Sequence, residues 1–156
     1  MDETPRADAV VVHRLGPDDT DLHRRMLALF ADVFDDPASY ADEPPGEAWV
    51  RETLATPHLV ALVALARERV VGALVAYELR KFERERSELY LYDLGVDAGH
   101  RRRGIATALI AALRGIARER GVRVVFVQAD RGDGPAIALY DKLGTGAEVL
   151  HFDIEI

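Results

Sequence analysis

Cysteine is absent from the 156-residue chain, and its absence excludes disulfide bonds and thiolate metal sites. No apolar run approaches the roughly 20 residues needed to span a bilayer, and the amino terminus MDETPRADA is too acidic and polar for a signal peptide. The five histidines show no metal-ligand spacing such as HExxH. We therefore expect a cytoplasmic protein with no metal site and no membrane partner.

A surplus of basic charge is also lacking, because 20 lysines and arginines stand against 27 acidic residues, for a formal net charge of −7. Binding a nucleic acid relies on many Lys and Arg contacts to phosphate, so nucleic acid is not expected as the main partner. A small cationic substrate suits this surface better. The length and composition predict one globular domain over residues 1–156, with residues 1–9 as a flexible tail.

Strands and helices alternate along the chain. Apolar and β-branched runs favour strands at residues 10–15, 59–66, 70–79, 87–96, 122–129 and 148–156, although an alanine-rich helix is the alternative for residues 59–79. Helical spacing of apolar residues favours helices at residues 22–33, around 49–54, at 104–120 and at 136–143, with a polar loop at 35–46. The strand at 87–96, the helix and the strand at 122–129 are consecutive, so these two strands are expected to be parallel. This order predicts a mixed α/β fold.

Three consecutive arginines and a glycine precede the helix at 104–120, in the stretch VDAGHRRRGIATALI. The turn after such a strand presents the free N–H groups of the next helix at the edge of the sheet, where anions bind. Gly104 and Ala106 have no side chain or only a methyl group, so backbone donors in this turn can approach phosphate oxygens closely. Basic residues at the start of a helix interact unfavourably with the helix dipole unless an anion compensates. The pattern therefore indicates a phosphate site, and a solvated basic turn is the alternative.

The same residues carry a family resemblance. The pattern Arg101-x-x-Gly104-x-Ala106, after a strand ending Leu94-Gly95-Val96, resembles the acetyl-coenzyme A (acetyl-CoA) signature of the GNAT N-acetyltransferases, and the block PAIALYDKLG resembles their tyrosine-bearing helix. The stretches VVGALVAYELRKFERERSELYLYDL, VQADRGDGPAIALYDKLG and EVLHFDIEI are similar to the gentamicin-type aminoglycoside 3-N-acetyltransferases of that superfamily. The likeness covers roughly residues 10–156.

The resemblance implies a GNAT fold, in which the fourth and fifth strands are parallel and splay apart in a V that holds the pantetheine arm of acetyl-CoA. Strand backbone would bind this arm and polarise the thioester carbonyl, and the N–H groups of residues 102–107 would hold the diphosphate. Asp133 and Thr145 depart from the asparagine and phenylalanine common at these positions, which affects the contacts of the last helix with the cofactor. The implied cofactor-binding residues are Leu94, Gly95, Val96, Arg101, Arg102, Arg103, Gly104, Ile105, Ala106, Thr107, Asp133, Ala136 and Tyr140.

Acetyl transfer to an ammonium group needs a carboxylate that attracts the cation and accepts its proton. Asp93 matches the carboxylate of the family motif and is the first candidate, and Glu88 is the second. Five residues separate them, so a regular strand points them to opposite faces, and a bulge near Leu94 changes this. Tyr140 is the candidate acid for the departing thiolate. The structural alternatives are a strand-end carboxylate paired with arginine, and core packing for Tyr140.

The resemblance implies acetylation of the 3-amine of a 2-deoxystreptamine aminoglycoside such as gentamicin, and hence antibiotic resistance. A polyamine, another small amine or a protein amino terminus is the alternative acceptor, and a non-catalytic coenzyme A binding module is the alternative of another class. Dimers are common among similar proteins, so a homodimer is compatible with the sequence. The expected substrate-binding residues are Asp35, Tyr92, Asp93, Asp130, Asp153 and Glu155.

Overall fold

A computed structural model describes residues 9–156, so residues 1–8 of the expected tail lie outside the described part. The strands are β1 (Val10–Arg14), β2 (Leu59–Ala66), β3 (Arg69–Arg80), β4 (Ser87–Val96) and β5 (Val125–Val127). The helices are α1 (Thr20–Val33), α2 (Pro37–Tyr40), α3 (Glu47–Ala55), α4 (Ile105–Glu119) and α5 (Gly134–Asp141), with a 3₁₀ turn at Ala98–His100. Among residues 9–156, no helix is long and apolar enough to cross a membrane.

The strands form one five-stranded sheet in the order β1-β2-β3-β4-β5. The first four strands pair antiparallel, and β5 pairs parallel to β4. The expected mixed α/β fold is therefore confirmed. The alanine-rich run at 59–66 is a strand and not a helix, because its side chains are buried along almost its whole length between two packed layers.

Helices cover both faces of the sheet. The amphipathic helix α4 buries Leu109 and Leu113 against one face, and α1 buries Met26 and Phe30 against the other together with Val50 of α3. The helix α4 lies so close to β3 that a Cβ atom on Gly72 would come within 2.7 Å of Ile105 Cγ2. This tight layer fixes the start of α4 beside the sheet.

Three local expectations need correction. The polar loop at 35–46 contains a short helix, α2, because the Asp36 side chain accepts a 3.1 Å hydrogen bond from the Ser39 N–H and proline occupies the first turn. The strand expected at 122–129 pairs only over Val125–Val127. The strand expected at 148–156 has no secondary structure and is exposed, because no strand lies beside it among residues 9–156.

Candidate active site

The parallel strands β4 and β5 pair at one end and separate at the other. Leu89, Tyr90 and Leu91 pair with Val125, Phe126 and Val127. Beyond this point β4 continues to Val96, whereas β5 ends. The backbone of residues 94–96 therefore has no β5 partner among the described residues, and the sheet opens in a V on that side.

The turn before α4 has an unusual backbone. Arg102 and Gly104 both have positive φ, 61° and 77°. Among residues 9–156 no side chain caps the helix, and its first turn contains no acidic residue. The first N–H groups of α4, which have no intrahelical acceptors, therefore remain available to a ligand. A Cβ atom on Gly104 would meet nothing within 4 Å, so the approach to these donors is open. Together with the exposed side chains of residues 101–103, this arrangement fits the diphosphate of coenzyme A.

A β-bulge in β4 sets the position of Asp93. Asp93 pairs with Val75 and Leu91 pairs with Ala76, which leaves Tyr92 as the extra residue. The bulge expected near Leu94 thus lies two residues earlier in the chain. Because of it, Leu89, Leu91, Leu94 and Val96 all pack toward the α4 side. Asp93 is turned toward the α1 side, at the point where β4 and β5 separate.

Asp93 is half-buried beside Tyr40, the last residue of α2. The Tyr40 hydroxyl donates a 2.9 Å hydrogen bond to Asp93 Oδ1. Burial raises the pKa of Asp93 above its ordinary value, and the Tyr40 hydrogen bond partly offsets this rise. Burial and the adjacent carboxylate raise the pKa of Tyr40, which therefore remains a hydrogen-bond donor at neutral pH. Asp93 is thus a carboxylate poised to take up a proton.

Glu88, the second candidate base, is engaged by two cations. Its Oε1 lies 3.3 Å from the Arg86 guanidinium and its Oε2 lies 3.9 Å from Lys81 Nζ. The bulge brings Glu88 to the same face of the sheet as Asp93, where a regular strand would oppose them. Its ion pairs fit the structural alternative, in which Glu88 fastens the β3–β4 connection.

The helix α5 carries the other predicted cofactor residues. The Asp133 side chain accepts a 3.1 Å hydrogen bond from the Ala136 N–H and caps the helix. Tyr140 is partly buried against the α4 side of the core. Burial raises the pKa of Tyr140, and the Asp133 charge raises it further. The phenol is therefore protonated at neutral pH, as a proton donor must be.

A row of aromatic rings crosses the sheet on the Asp93 face. Tyr90 stacks on Phe126 with ring centroids 4.6 Å apart, and Tyr92 meets Tyr90 and Tyr77 edge-on at 5.4 and 5.6 Å. Tyr92 is 59% exposed. Asp93 acts electrostatically on Tyr77 and Tyr90, which places its charge beside this row. The surface offers flat apolar contact next to a carboxylate.

The structure describes the surroundings of the other carboxylates that are predicted to bind substrate. Asp35 lies two residues after the end of α1 and has a positive φ of 51°. Asp130 is exposed in the turn after β5. Asp153 and Glu155 are exposed near the chain end, where Asp153 accepts a 2.9 Å hydrogen bond from His151.

Tyr40 is the site residue whose role sequence reasoning missed. The structure makes Tyr40 the hydrogen-bond partner of Asp93. Fifty-three positions separate the two residues, and α2 was read as a loop, so no local pattern joins them.

Comparisons with known proteins agree with this geometry. The model of the acetyltransferase (GNAT) family matches residues 25–145. An aminoglycoside acetyltransferase from an uncultured soil metagenomic sample is 50% identical, with a TM-score of 0.93 over 95% of this chain and 99% of that one. A second soil metagenomic aminoglycoside acetyltransferase, solved in complex with sisomicin, is 29% identical, with a TM-score of 0.87 over 94% of this chain and 96% of that one.

Among curated proteins, human N-acetyltransferase 8 is 30% identical over 118 residues, which cover 76% of this chain and 46% of that protein. The chain thus spans about half the length of the curated relatives that it matches first. The splayed strands, the open helix start and the family match agree in assigning acetyl-CoA as the cofactor. The chain belongs to the acetyltransferase (GNAT) family.

Proposed function

We propose that this chain is an aminoglycoside 3-N-acetyltransferase, which transfers acetyl from acetyl-CoA to the 3-amine of a 2-deoxystreptamine antibiotic such as gentamicin. The observation that carries the proposal is Asp93, a half-buried carboxylate with a raised pKa at the mouth of the V. The 50% identity to an aminoglycoside acetyltransferase supports the substrate class. The 3-position and gentamicin rest on the resemblance of the motifs alone.

Asp93 has two tasks in this reaction. Its negative charge attracts the ammonium form of the acceptor amine, and its oxygen then accepts the proton, directly or through one water molecule. Burial raises the pKa of Asp93 toward the operating pH, which strengthens the carboxylate as a base. The Tyr40 hydroxyl holds Asp93 Oδ1 in one orientation. The deprotonated amine is then the nucleophile.

The chain's own backbone supplies the donor site. N–H groups of Ile105, Ala106 and Thr107 at the start of α4 bind the diphosphate, and residues 94–96 offer unpaired strand backbone to the pantetheine arm. Acetyl-CoA supplies an activated thioester there. A backbone N–H of residues 94–96 that faced the thioester oxygen would polarise its carbonyl. Tyr140 donates its phenolic proton to the leaving thiolate.

Acceptor binding uses the aromatic row and the net negative charge. The exposed Tyr92 ring offers a face for sugar C–H groups and for cation–π contact with an ammonium group. A formal charge of −7 raises the local concentration of a polycation. A protein amino terminus or a polyamine offers fewer apolar ring faces than an aminoglycoside for contact with this aromatic row. An aminoglycoside therefore fits it better.

The test is a thiol-release assay with acetyl-CoA and an amine panel of gentamicin, sisomicin, spermidine and a peptide with a free amino terminus. The chain has no cysteine, so a thiol reagent reads only coenzyme A. We expect release with the two aminoglycosides and a product acetylated at the 3-amine by NMR. Release with spermidine or the peptide alone would overturn the acceptor assignment, and another acetylated position would overturn the regiochemistry.

A further inference from the structure

Gln128 directly follows β5 and lies on the same face of the sheet as Asp93. Val127, the last residue of β5, packs toward α4, and successive side chains of an extended chain point to opposite faces. Gln128 therefore returns to the Asp93 face. A 2.8 Å hydrogen bond from the Tyr90 hydroxyl to Gln128 Oε1 agrees with this placement, because Tyr90 belongs to the aromatic row on that face. Gln128 is exposed, so its amide is accessible to a ligand.

Gln128 and Asp93 lie on the two sides of the V where it begins to open. Leu91 and Val127 form the last pair of the parallel ladder. Asp93 lies two residues beyond this pair on β4, and Gln128 lies one residue beyond it on the chain that continues from β5. The charge of Asp93 also acts on Tyr90, whose hydroxyl contacts the Gln128 amide. An acceptor amine bound at Asp93 would therefore bring its neighbouring atoms to the side chain of Gln128.

The Tyr90 hydroxyl determines which end of the Gln128 amide faces the acceptor. Tyr90 stacks on Phe126 with ring centroids 4.6 Å apart and meets Tyr92 edge-on at 5.4 Å, so its ring is held on two sides. Burial raises the pKa of Tyr90, and the acidic groups of Tyr92 and Asp93 raise it further. The hydroxyl therefore keeps its proton at neutral pH and donates a hydrogen bond to Oε1.

The amide nitrogen of Gln128 is the end that remains for a ligand. Because Oε1 accepts the hydrogen bond from Tyr90, Nε2 points away from that hydroxyl. Nε2 carries two N–H donors, and among residues 9–156 neither of them has a protein acceptor. An amide N–H does not bind an ammonium group, because both are donors, but it binds a hydroxyl or ether oxygen. The V thus offers a carboxylate for an amine on one side and a donor for an oxygen on the other.

We propose that Gln128 is a specificity-determining residue, whose amide N–H donates to an oxygen of the acceptor beside the amine that Asp93 binds. The inference rests on the proposed function and adds the chemical feature that selects its substrate class. A 2-deoxystreptamine ring carries an oxygen on the carbon next to its 3-amine, so it presents both groups together. A polyamine carries no oxygen and leaves the N–H donors without a partner. The site therefore recognises an amine and an oxygen on neighbouring atoms of one ring.

The first experiment measures the binding of two matched diamines to the coenzyme A complex by NMR titration. 2-Deoxystreptamine and cis-1,3-diaminocyclohexane share the ring and both amines, and only the first carries oxygens. Gln128→Met keeps the length of the side chain and removes the amide. We expect the preference for 2-deoxystreptamine to fall roughly two- to tenfold in this variant, as for the loss of one hydrogen bond. An equal preference in both proteins, or binding of neither ring, would overturn the proposal.

Further variants separate recognition from packing. Gln128→Glu keeps the shape of the side chain but replaces the donor with an acceptor oxygen, so it should bind cis-1,3-diaminocyclohexane more tightly and lose the preference for oxygens. An undiminished preference in Gln128→Glu would contradict the role of the amide.

The orientation of the amide is tested at Tyr90. Tyr90→Phe frees the amide to turn and should reduce the preference for 2-deoxystreptamine in part. The matched control is Tyr77→Phe, which removes a hydroxyl of the same row that makes no hydrogen bond to Gln128 among the described residues. This control should leave the preference unchanged. Equal effects of the two substitutions would show that Tyr90 does not orient the amide, and the proposal would fail.

Steady-state acetylation assigns the effect to one substrate. In Gln128→Met we expect KM for gentamicin to rise roughly two- to tenfold, with KM for acetyl-CoA unchanged. A rise in KM for acetyl-CoA alone would make Gln128 a cofactor residue and would overturn the proposal. The NMR titration needs no turnover, so the two failures are separate results. A chain that shows the preference but releases no thiol with gentamicin would refute the proposed function and leave the role of Gln128 standing.

Discussion

At the scale of single residues, the two candidate carboxylates differ in what surrounds them. Among the described residues, Asp93 has only the Tyr40 hydroxyl as hydrogen-bond partner, whereas Glu88 lies between Lys81 and Arg86. We predict that Asp93→Asn lowers kcat by roughly 10²-fold or more, because a general base of this kind contributes that much. Steady-state thiol release with gentamicin measures the loss.

The matched control is Glu88→Gln, which also replaces a carboxylate with an amide in β4. It should reduce turnover little, because Glu88 already serves as an ion-pair partner of the β3–β4 connection. A larger loss for Glu88→Gln than for Asp93→Asn would reverse the assignment of the base. A rise in KM alone for Asp93→Asn would make Asp93 a binding residue.

Tyr40 tunes Asp93, and its effect has a definite sign. The Tyr40 hydrogen bond lowers the pKa of Asp93 against the larger effect of burial, which raises it. Tyr40→Phe removes the lowering contribution, so the pKa of Asp93 rises further. We predict that the acidic limb of the kcat/KM profile against pH moves to higher pH.

Tyr77→Phe is the control for this profile. Tyr77 also lies within the field of Asp93, but among described residues its hydroxyl makes no hydrogen bond to that carboxylate. The acidic limb of this variant should stay in place. A limb unmoved in Tyr40→Phe, or moved equally in both variants, would show that the hydrogen bond does not set the pKa.

The sequence offered two candidates for the catalytic base but could not choose between them. Asp93 and Glu88 are both acidic positions in an apolar strand, and their relative direction depends on a bulge. The bulge lies at Tyr92, and a tyrosine, unlike a glycine, gives no sequence signal for a bulge. The partners that separate the two residues, Tyr40 and Arg86, belong to a helix and a connector whose positions only the tertiary fold determines.

At the scale of elements, close packing between β3 and α4 fixes the position of the turn before α4. A Cβ atom on Gly72 would lie 2.7 Å from Ile105 Cγ2 and 3.2 Å from Leu109 Cδ1. Both contacts are with buried branched side chains of α4. We predict that Gly72→Ala lowers the free energy of unfolding by about 1–3 kcal/mol, as overpacking does. Urea unfolding measures the change.

Gly115→Ala, which lies in α4 itself, is the comparison for Gly72→Ala in β3. A Cβ atom there would meet nothing within 4 Å, and alanine favours a helix interior over glycine by up to about 1 kcal/mol. This variant should be as stable as the unchanged chain or more so. If Gly72→Ala were equally harmless, the spacing between β3 and α4 would be looser than the structure shows.

The observed bounds of helices and strands match the bounds predicted from the sequence where the local sequence signals are strong. The helix expected at 104–120 is observed at Ile105–Glu119, because Gly104 and Gly121 both take positive φ at its ends. β5 is shorter than expected, because a parallel strand at the edge of a V pairs only until the strands diverge. Residues 148–156 alternate like a strand in the sequence, but they form none, because a strand needs a neighbouring strand to pair with.

At the scale of the whole molecule, the alternation of strands and helices was enough to predict a mixed α/β sheet with parallel β4 and β5. This worked because α4 leads directly from one strand to the other, which leaves few arrangements. The separation of the strands beyond Leu91 left no trace in apolar periodicity. It was expected only from the family resemblance.

The proposed donor site joins β4, α4 and α5, so we expect its occupancy to stabilise the entire fold. A ligand at 100 times its Kd that binds only the folded state adds about 2.7 kcal/mol. For a domain of this size, each kcal/mol raises Tm by roughly 2–4 °C. We therefore predict that saturating coenzyme A raises Tm by about 5–11 °C in differential scanning fluorimetry.

Pantetheine is the control ligand for this experiment, because it shares the arm of coenzyme A and lacks the diphosphate. At equal concentration it should raise Tm much less, since the unpaired N–H groups at the start of α4 and the arginines at 101–103 would find no anion. Equal shifts for both ligands would mean that the V alone holds the donor. If coenzyme A caused no shift, it would not bind the folded chain at the start of α4, and the proposal of acetyl transfer would fail.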